Sequence, residues 1–461
     1  MSQPPHIVLI HSDQHRFDCL AAHGHPLVNT PNLDRLAAEG ADFQHAFTPS
    51  PICSPARACL LTGRWPTQHG CMSIPGTEIY RPIDDPNQPL LTRLLHDAGY
   101  RIAHIGKWHG ETPHEPTAYG VDDFIPESQY DSWRRSQGIP DRQRTNAWFG
   151  EVDPHITPDQ HRIAWGGQLA CDHIERYHHS GQPFLVRWDP SEPHLPNMIP
   201  AAMADLYPPD TIDPWPSYAD TLEGKPWIQA QQRRTWGVDH WTWEQHWAPM
   251  VSRYLADITL LDDHVGRVLD TLDRLGIADN TLVIYSTDHG DFCGGHGQVD
   301  KHFNMYDDVM RVPLIMRWPG RIEVGSQPHG FVSNELDVAA TLCAAAGLDI
   351  PETFVGHNLV AQRGAQVPER DHIFAQYMGS QFGLYSQRMV RNADWKYIWN
   401  ATDTDELYDL NTDPAELTNR IDDPTAAGVV KRLRECLAEW GQSIGDPLFN
   451  SFTLSQLRPR T

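Results

Sequence analysis

The stretch Pro51–Gly70, PICSPARACLLTGRWPTQHG, contains the short run Cys53-Ser54-Pro55-Ala56-Arg57. Pro55 fits the first turn of a helix, where a missing N–H costs nothing, and Ala56 to Leu61 are good helix formers running on to Gly63 as a stop. Cys53 is therefore expected at a helix N-terminus. Free N–H groups and the positive end of the helix dipole favour an anion there, and Arg57 lies one turn further on the same side. A bound sulfate or phosphate group would fit. A lone cysteine is by itself a small buried hydrophobe, so the weight placed on Cys53 comes from its neighbours.

On the N-terminal side of this helix, His6 to Ile10 is a short apolar run ending in Ser12-Asp13-Gln14. It reads as a buried parallel strand whose carboxyl end delivers Asp13 to a sheet rim, where ligands of open α/β folds gather. Thr30-Pro31-Asn32-Leu33 then starts a helix with a cap and an early proline, carried by Leu33, Leu36 and Ala37 and stopped at Gly40. Strand, helix, then an anion-binding helix is α/β logic. Downstream, Leu90 to Ala98 is amphipathic, Gly99 ends it, and Tyr100 to Ile105 is a second strand running into Gly106-Lys107-Trp108-His109. Phe184 to Trp188 is a third, followed by Asp189-Pro190-Ser191-Glu192-Pro193-His194, and Thr281 to Tyr285 a fourth, followed by Ser286-Thr287-Asp288-His289-Gly290. All four strands end in polar residues able to bind a metal or an anion.

Between Val251 and Leu275 apolar residues step by threes and fours, as one face of a long scaffold helix should, with Asp262 and Asp263 expected on its solvated face. From Asp205 to Met250 the chain is rich in Pro and Trp without clean periodicity and reads as a loop-rich insertion. Its aromatics form either a small satellite core or a stacking surface beside the active site. After about Arg370 short strands with turns follow, Phe382 to Val390, Trp395 to Trp399 and Glu406 to Leu410. The expected organisation is an α/β catalytic domain over residues 1–369, with the insertion at about 205–250, and a smaller C-terminal α+β subdomain over 370–461.

A chain of 461 residues can bury a large core. Its 36 Lys and Arg against 60 Asp and Glu give a formal net charge of -24, which argues against nucleic acid or an anionic membrane as partner. An anionic substrate must then be drawn in by a local cluster of cations and metal. The N-terminus has only a four-residue apolar run and no basic segment before it, and no run of 18 apolar residues occurs. The eight cysteines are scattered through the chain and read as reduced thiols of a cytoplasmic protein.

Several ordered segments resemble the type I, formylglycine-dependent sulfatases of the alkaline phosphatase superfamily. C-S-P-A-R followed by A-x-L-L-T-G-R is similar to their maturation signature, His6 to Arg16 to their metal strand, Ile105 to His109 to their G-K-W-H segment and Pro193-His194 to their P-H turn. Thr281 to Pro319 resembles their N-T-L-V-I-Y-S-T-D-H-G segment with its later lysine, and RMVRNADWKYIWN and DELYDLNTDPAELTN their C-terminal subdomain. The Trp-rich insertion is the main gap.

The resemblance implies an alkaline phosphatase-like fold and hydrolysis of a saccharide, aryl or small alkyl sulfate. It implies that a formylglycine-generating enzyme oxidises Cys53 to formylglycine, whose hydrate gives one hydroxyl to a metal and one oxygen to sulfur. Arg57 would hold the diol and a sulfate oxygen, Lys107 and Lys301 would neutralise the other oxygens, His109 would take the proton as the sulfated hemiacetal collapses, and His194, with Lys301 nearby, would protonate or stabilise the departing alkoxide. Asp13, Gln14, Asp288, His289 and converted Cys53 would bind the metal, a hard set suited to Ca²⁺, with Mn²⁺ or Mg²⁺ as alternatives. A homo-oligomer is compatible with this reading. Gln14 stands where a second aspartate often follows the first, and His289 where asparagine is common. Both variants occur in bacterial branches that include phosphonate and phosphodiester hydrolases and choline sulfatase. A phosphonate monoester or phosphodiester hydrolase is therefore the second reading. A silent binding protein is a third, against which the intact Cys53, Arg57, Lys107, His109, His194 and Lys301 argue.

Overall fold

The strand His6–Ser12 lies at the centre of a seven-stranded sheet, paired in parallel with Thr281–Thr287 on one side and Phe184–Asp189 on the other. Arg101–Gly106 and Asp123–Pro126 continue the parallel run outward. Beyond Thr281–Thr287 the strand Leu314–Arg317 runs antiparallel, and Ala41–Asp42 pairs antiparallel with it at the other edge. The computed structural model describes residues 4–77, 81–83, 88–110, 112–142, 148–360, 369–379 and 383–458.

Alternation along the central strands sends side chains to two cores, as the two-residue period of a strand requires. Val8, Ile10, Val186 and Val283 face one core, shared with the long helix Ala248–Leu275 and the helix Arg162–Ser180. Ile7, Leu9, Leu185 and Ile284 face the other, under the helices Leu91–Asp97 and Asn334–Ala345. Every residue of His6–Ser12 and of Thr281–Thr287 is buried, which is why these runs read as continuously apolar. The register aligns the carboxyl ends, pairing Ser12 with Thr287 and Gly106 with Asp189, so the residues that follow emerge at one rim.

Three expectations need correction. Asp262 is not on a solvated face: it is fully buried on the long helix, and its carboxylate accepts hydrogen bonds from the backbone N–H groups of Asn32 and Leu33 at 3.1 and 2.7 Å. It caps the helix Pro31–Glu39, while Thr30, expected as that cap, makes no capping hydrogen bond with its side chain. The insertion contains an α-helix, Trp227–Trp236. Its tryptophans Trp215, Trp243 and Trp247 join the main core under the long helix and form no satellite core.

The C-terminal part carries a separate antiparallel sheet of four strands, Ile373–Met378, Ser386–Arg391, Trp395–Asn400 and Glu406–Asp409. Phe382, expected within the second of these, lies outside the described residues. One face packs Val390, Tyr397 and Leu407 against Leu433 and Leu437 of the helix Ala427–Ser443. The other packs Ala375, Met389 and Tyr408 against Phe303, Met305 and Tyr306, which braces the loop carrying Lys301. No helix among the described residues is long and apolar enough to cross a membrane.

Candidate active site

The helix Cys53–Thr62 begins with Cys53 in its first turn and ends at Gly63. It points its N-terminus at the sheet rim, and the strand ends supply what faces it. Asp13 follows the central strand, Asp288 and His289 follow its neighbour, and Asp189 closes the strand on the other side. The ligand atoms of Asp13, Cys53, Asp288 and His289 all lie within 4.8 Å of one another, and all four residues are buried. His289 Nε2 lies 3.2 Å from Cys53 Sγ, while its Nδ1 donates to the Gly290 carbonyl at 2.9 Å. That bond fixes the ring with Nε2 turned into the cluster, where an imidazole that gives up its Nε2 proton can ligate a cation. Two carboxylates, one imidazole and one sulfur converging in a buried space fit a divalent cation.

Arg57 is fully buried beneath this group. Its Nε donates to Asp288 at 2.8 Å, one Nη to Asp189 at 2.5 Å, and the other to Asp13 and to the Ser12 carbonyl, both at 3.2 Å. A bidentate-capable guanidinium is well shaped to tie carboxylates from three strands. In this structure its donors are directed at protein, so it aligns the acidic set. The family resemblance assigns no role to Asp189, but its place at the end of a strand is the same sequence signal that marks Asp13 and Asp288. Arg187 also holds it, at 2.6 and 2.7 Å. Burial would raise the Asp189 carboxyl, but Arg187, His104 and Arg57 hold it far below the usual carboxylate range.

Lys107 pairs with Asp13 through its ammonium. It reaches the rim because Gly106, at φ +103°, lets the chain turn where a Cβ would meet the Asp189 carbonyl oxygen at 2.1 Å. Lys301 Nζ donates to Gln14 Oε1 at 2.9 Å and to His194 Nε2 at 2.7 Å, and pairs with Asp300 at 3.0 Å. His194 Nδ1 donates to the Leu195 carbonyl at 2.5 Å, so its Nε2 carries the lone pair that meets Lys301. His109 sits on the exposed side, with a positive φ of 42°, and hydrogen-bonds Cys53.

Gln14 is held at φ 69° by Tyr254 of the long helix, whose hydroxyl donates to the Gln14 carbonyl at 2.7 Å. Its N–H donates to Asp288 at 3.1 Å, and its side-chain amide binds Asp291 and Lys301. Tyr254, Asp291 and Asp300 carried no sequence signal beyond a core position and two ordinary loop acids.

The electrostatics follow from this packing. Burial alone would raise the Cys53 thiol, but Lys107, Lys301 and His289 pull it well below the ordinary thiol range. Burial and the facing sulfur would raise Asp13, yet Lys107, His194 and Arg57 keep it ionised far below the usual range. Burial would lower His289, and Asp288 and Cys53 raise it to about 9. A chain with net charge -24 thus presents a cationic wall around one side chain, which is what an anionic ester needs.

Such a rim on a mostly parallel sheet defines a hydrolase centre for anionic esters. Residues 5–348 match the Sulfatase family model, and residues 294–443 match that of the N-sulphoglucosamine sulphohydrolase C-terminal region. The chain belongs to the sulfatase family of the alkaline phosphatase superfamily, and its relatives named arylsulfatase and choline-sulfatase are sulfuric ester hydrolases. It is 32% identical to an uncharacterized sulfatase of Escherichia coli, over 99% of this chain and 90% of that protein. It is 26% identical to the N-acetylglucosamine-6-O-sulfatase of Bacteroides thetaiotaomicron, over 94% and 86%. Among solved structures, the phosphonate monoester hydrolase of Agrobacterium radiobacter aligns with a TM-score of 0.75 at 26% identity, covering 96% of this chain and 95% of that one.

Proposed function

We propose that the chain hydrolyses a sulfate monoester of a saccharide, aryl or small alkyl alcohol at Cys53 converted to formylglycine. A divalent cation, Ca²⁺ first, would be held by Asp13, Gln14, Asp288, His289 and the converted side chain. The observation that carries this reading is the buried ligand group of Asp13, Cys53, Asp288 and His289 enclosed by Arg57, Lys107 and Lys301. When present, the cation and the aldehyde hydrate supply Lewis acidity and an activated oxygen nucleophile.

The chain's own residues do the rest. Lys107 and Lys301 offset the charge of the sulfate oxygens, and Arg57 fixes the carboxylates beneath them. His109, hydrogen-bonded to Cys53, stands where the nucleophile's proton leaves. His194, oriented by the Leu195 carbonyl, accepts the Lys301 ammonium at Nε2, and the proton for the departing oxygen would come from this pair. The name of the N-acetylglucosamine-6-O-sulfatase relative supports a sulfated sugar as substrate.

Co-expression with a formylglycine-generating enzyme is expected to lower the intact mass by about 18 Da relative to the thiol form. The converted protein is expected to cleave 4-nitrophenyl sulfate. Fully converted protein that is inert on sulfate and sugar sulfate panels removes the proposal. A phosphonate monoester hydrolase is the second reading, favoured by Gln14, His289 and the likeness to the Agrobacterium enzyme. Faster turnover of an aryl phosphonate monoester than of the aryl sulfate selects it.

A further inference from the structure

Beside His194 stands an aromatic wall whose position relative to that histidine is built into the backbone. The short strands Glu151–Asp153 and Met198–Pro200 pair in parallel, with Glu151 opposite Met198. Trp148 precedes the first by three residues and His194 precedes the second by four, so the two side chains arrive together. Gly150 fixes this junction: at φ +77° it packs so closely that a Cβ there would meet the Asn197 carbonyl oxygen at 2.2 Å. Asn197 in turn donates to the Pro193 carbonyl at 2.8 Å and to Asp257 of the long helix at 2.9 Å, anchoring the His194 turn.

The Trp148 ring meets the His194 imidazole edge-on, at 6.0 Å and 86°. It stacks on Trp236 at 5.7 Å and 23°, so its own plane is set from behind. Trp236 contacts Phe149, Phe149 contacts Trp241, and Trp241 contacts Trp247 at the start of the long helix. Trp148, Trp236 and His194 are each only partly buried, so this end of the stack reaches the surface beside the histidine proposed above to serve the departing oxygen. A rigid aromatic plane at that place offers a flat apolar surface. Arg253 donates to the Phe149 carbonyl at 2.9 Å, which holds the backbone behind the wall.

We propose that Trp148 is a specificity-determining residue for the alcohol half of the substrate, selecting a leaving group with a flat ring face, pyranose or aryl, over a short alkyl chain. This rests on the sulfate monoester reading above and adds the class of alcohol to it. Wild type, Trp148→Ala and Trp148→Phe, each converted at Cys53, are compared on 4-nitrophenyl sulfate, N-acetylglucosamine 6-sulfate and ethyl sulfate. Trp148→Ala is expected to raise KM on ring substrates by about tenfold with kcat nearly unchanged, the loss of one ring–ring contact. Trp148→Phe is expected to restore most of it, and kcat/KM on ethyl sulfate to stay within about twofold of wild type. A loss on only one ring substrate assigns the wall to that ring. Equal losses on ring and ethyl esters, or none, overturn the proposal, as does a wild-type preference for choline sulfate abolished by Trp148→Ala. Ethyl sulfate, a poor leaving group, reports that His194 is intact in the variants. Failure of wild type on every sulfate speaks against the sulfatase reading instead, so the two failures are told apart.

Discussion

At the scale of single residues, His194 and Lys107 are proposed to serve different parts of the ester, the departing oxygen and the sulfate. A group that protonates the leaving oxygen matters most when that oxygen is strongly basic, whereas a group that grips sulfate matters for every ester. His194→Ala is expected to harm a sugar or alkyl sulfate far more than 4-nitrophenyl sulfate. Lys107→Ala is expected to harm both alike, by about 3 kcal/mol, as losing one group that stabilises developing charge does. Equal losses for His194→Ala on the two esters, in kcat/KM, would dismiss its role as acid. Asp288 invites a test that does not depend on turnover. Calcium at a hundredfold excess over Kd is expected to stabilise the wild type by about 2.7 kcal/mol and raise its Tm accordingly. Asp288→Asn is expected to abolish that shift, and a variant that keeps it takes Asp288 out of the ligand set.

At the scale of elements, the helix Pro31–Glu39 is capped from outside its own sequence. Asp262 accepts from two first-turn N–H groups and from the Asn32 side chain, at 2.7 to 3.1 Å. Asp262→Ala is expected to cost about 1–2 kcal/mol, the usual size of a lost cap, read as a drop in the urea midpoint. Burial pushes the Asp262 carboxyl up to about 6. The native state therefore holds this proton more tightly than the unfolded chain, and the residue's share of stability falls as pH rises from about 4 to about 6. Asp262→Asn removes that dependence while keeping one acceptor. If the slope in this window is the same in the variant, the raised carboxyl is not Asp262.

For the whole molecule, buried imidazoles set the acid limit. Burial pushes His69 and His104 down to about 3 and His264 to about 4. Their folded values lie below the unfolded value near 6.5, so the unfolded chain binds more protons in this window. Stability is present above about 6.5 and is lost as pH falls toward 4, at up to about 1.4 kcal/mol per pH unit for each such group. His104→Gln, whose amide still reaches the Lys107 carbonyl that His104 Nε2 meets at 3.1 Å, is expected to flatten the decline by one group's share. Urea midpoints at pH 7.5, 6 and 5 measure it, and unchanged slopes in the variant would locate the protons elsewhere.

The parallel strands, the helix that begins at Cys53 and the polar residues after each strand are legible from local periodicity, proline and glycine placement and strand ends. The strand-end pattern alone puts Asp13, Asp288, His289, Lys107 and His194 at one rim. What those residues touch depends on how distant elements pack. The strand register brings Asp189 under Arg57, the long helix lends Tyr254 to Gln14 and Asp262 to a distant helix, and the Glu151–Met198 ladder sets Trp148 against His194. Each of these contacts joins residues far apart in the chain, and no local pattern encodes a partner that arrives only when two buried surfaces meet.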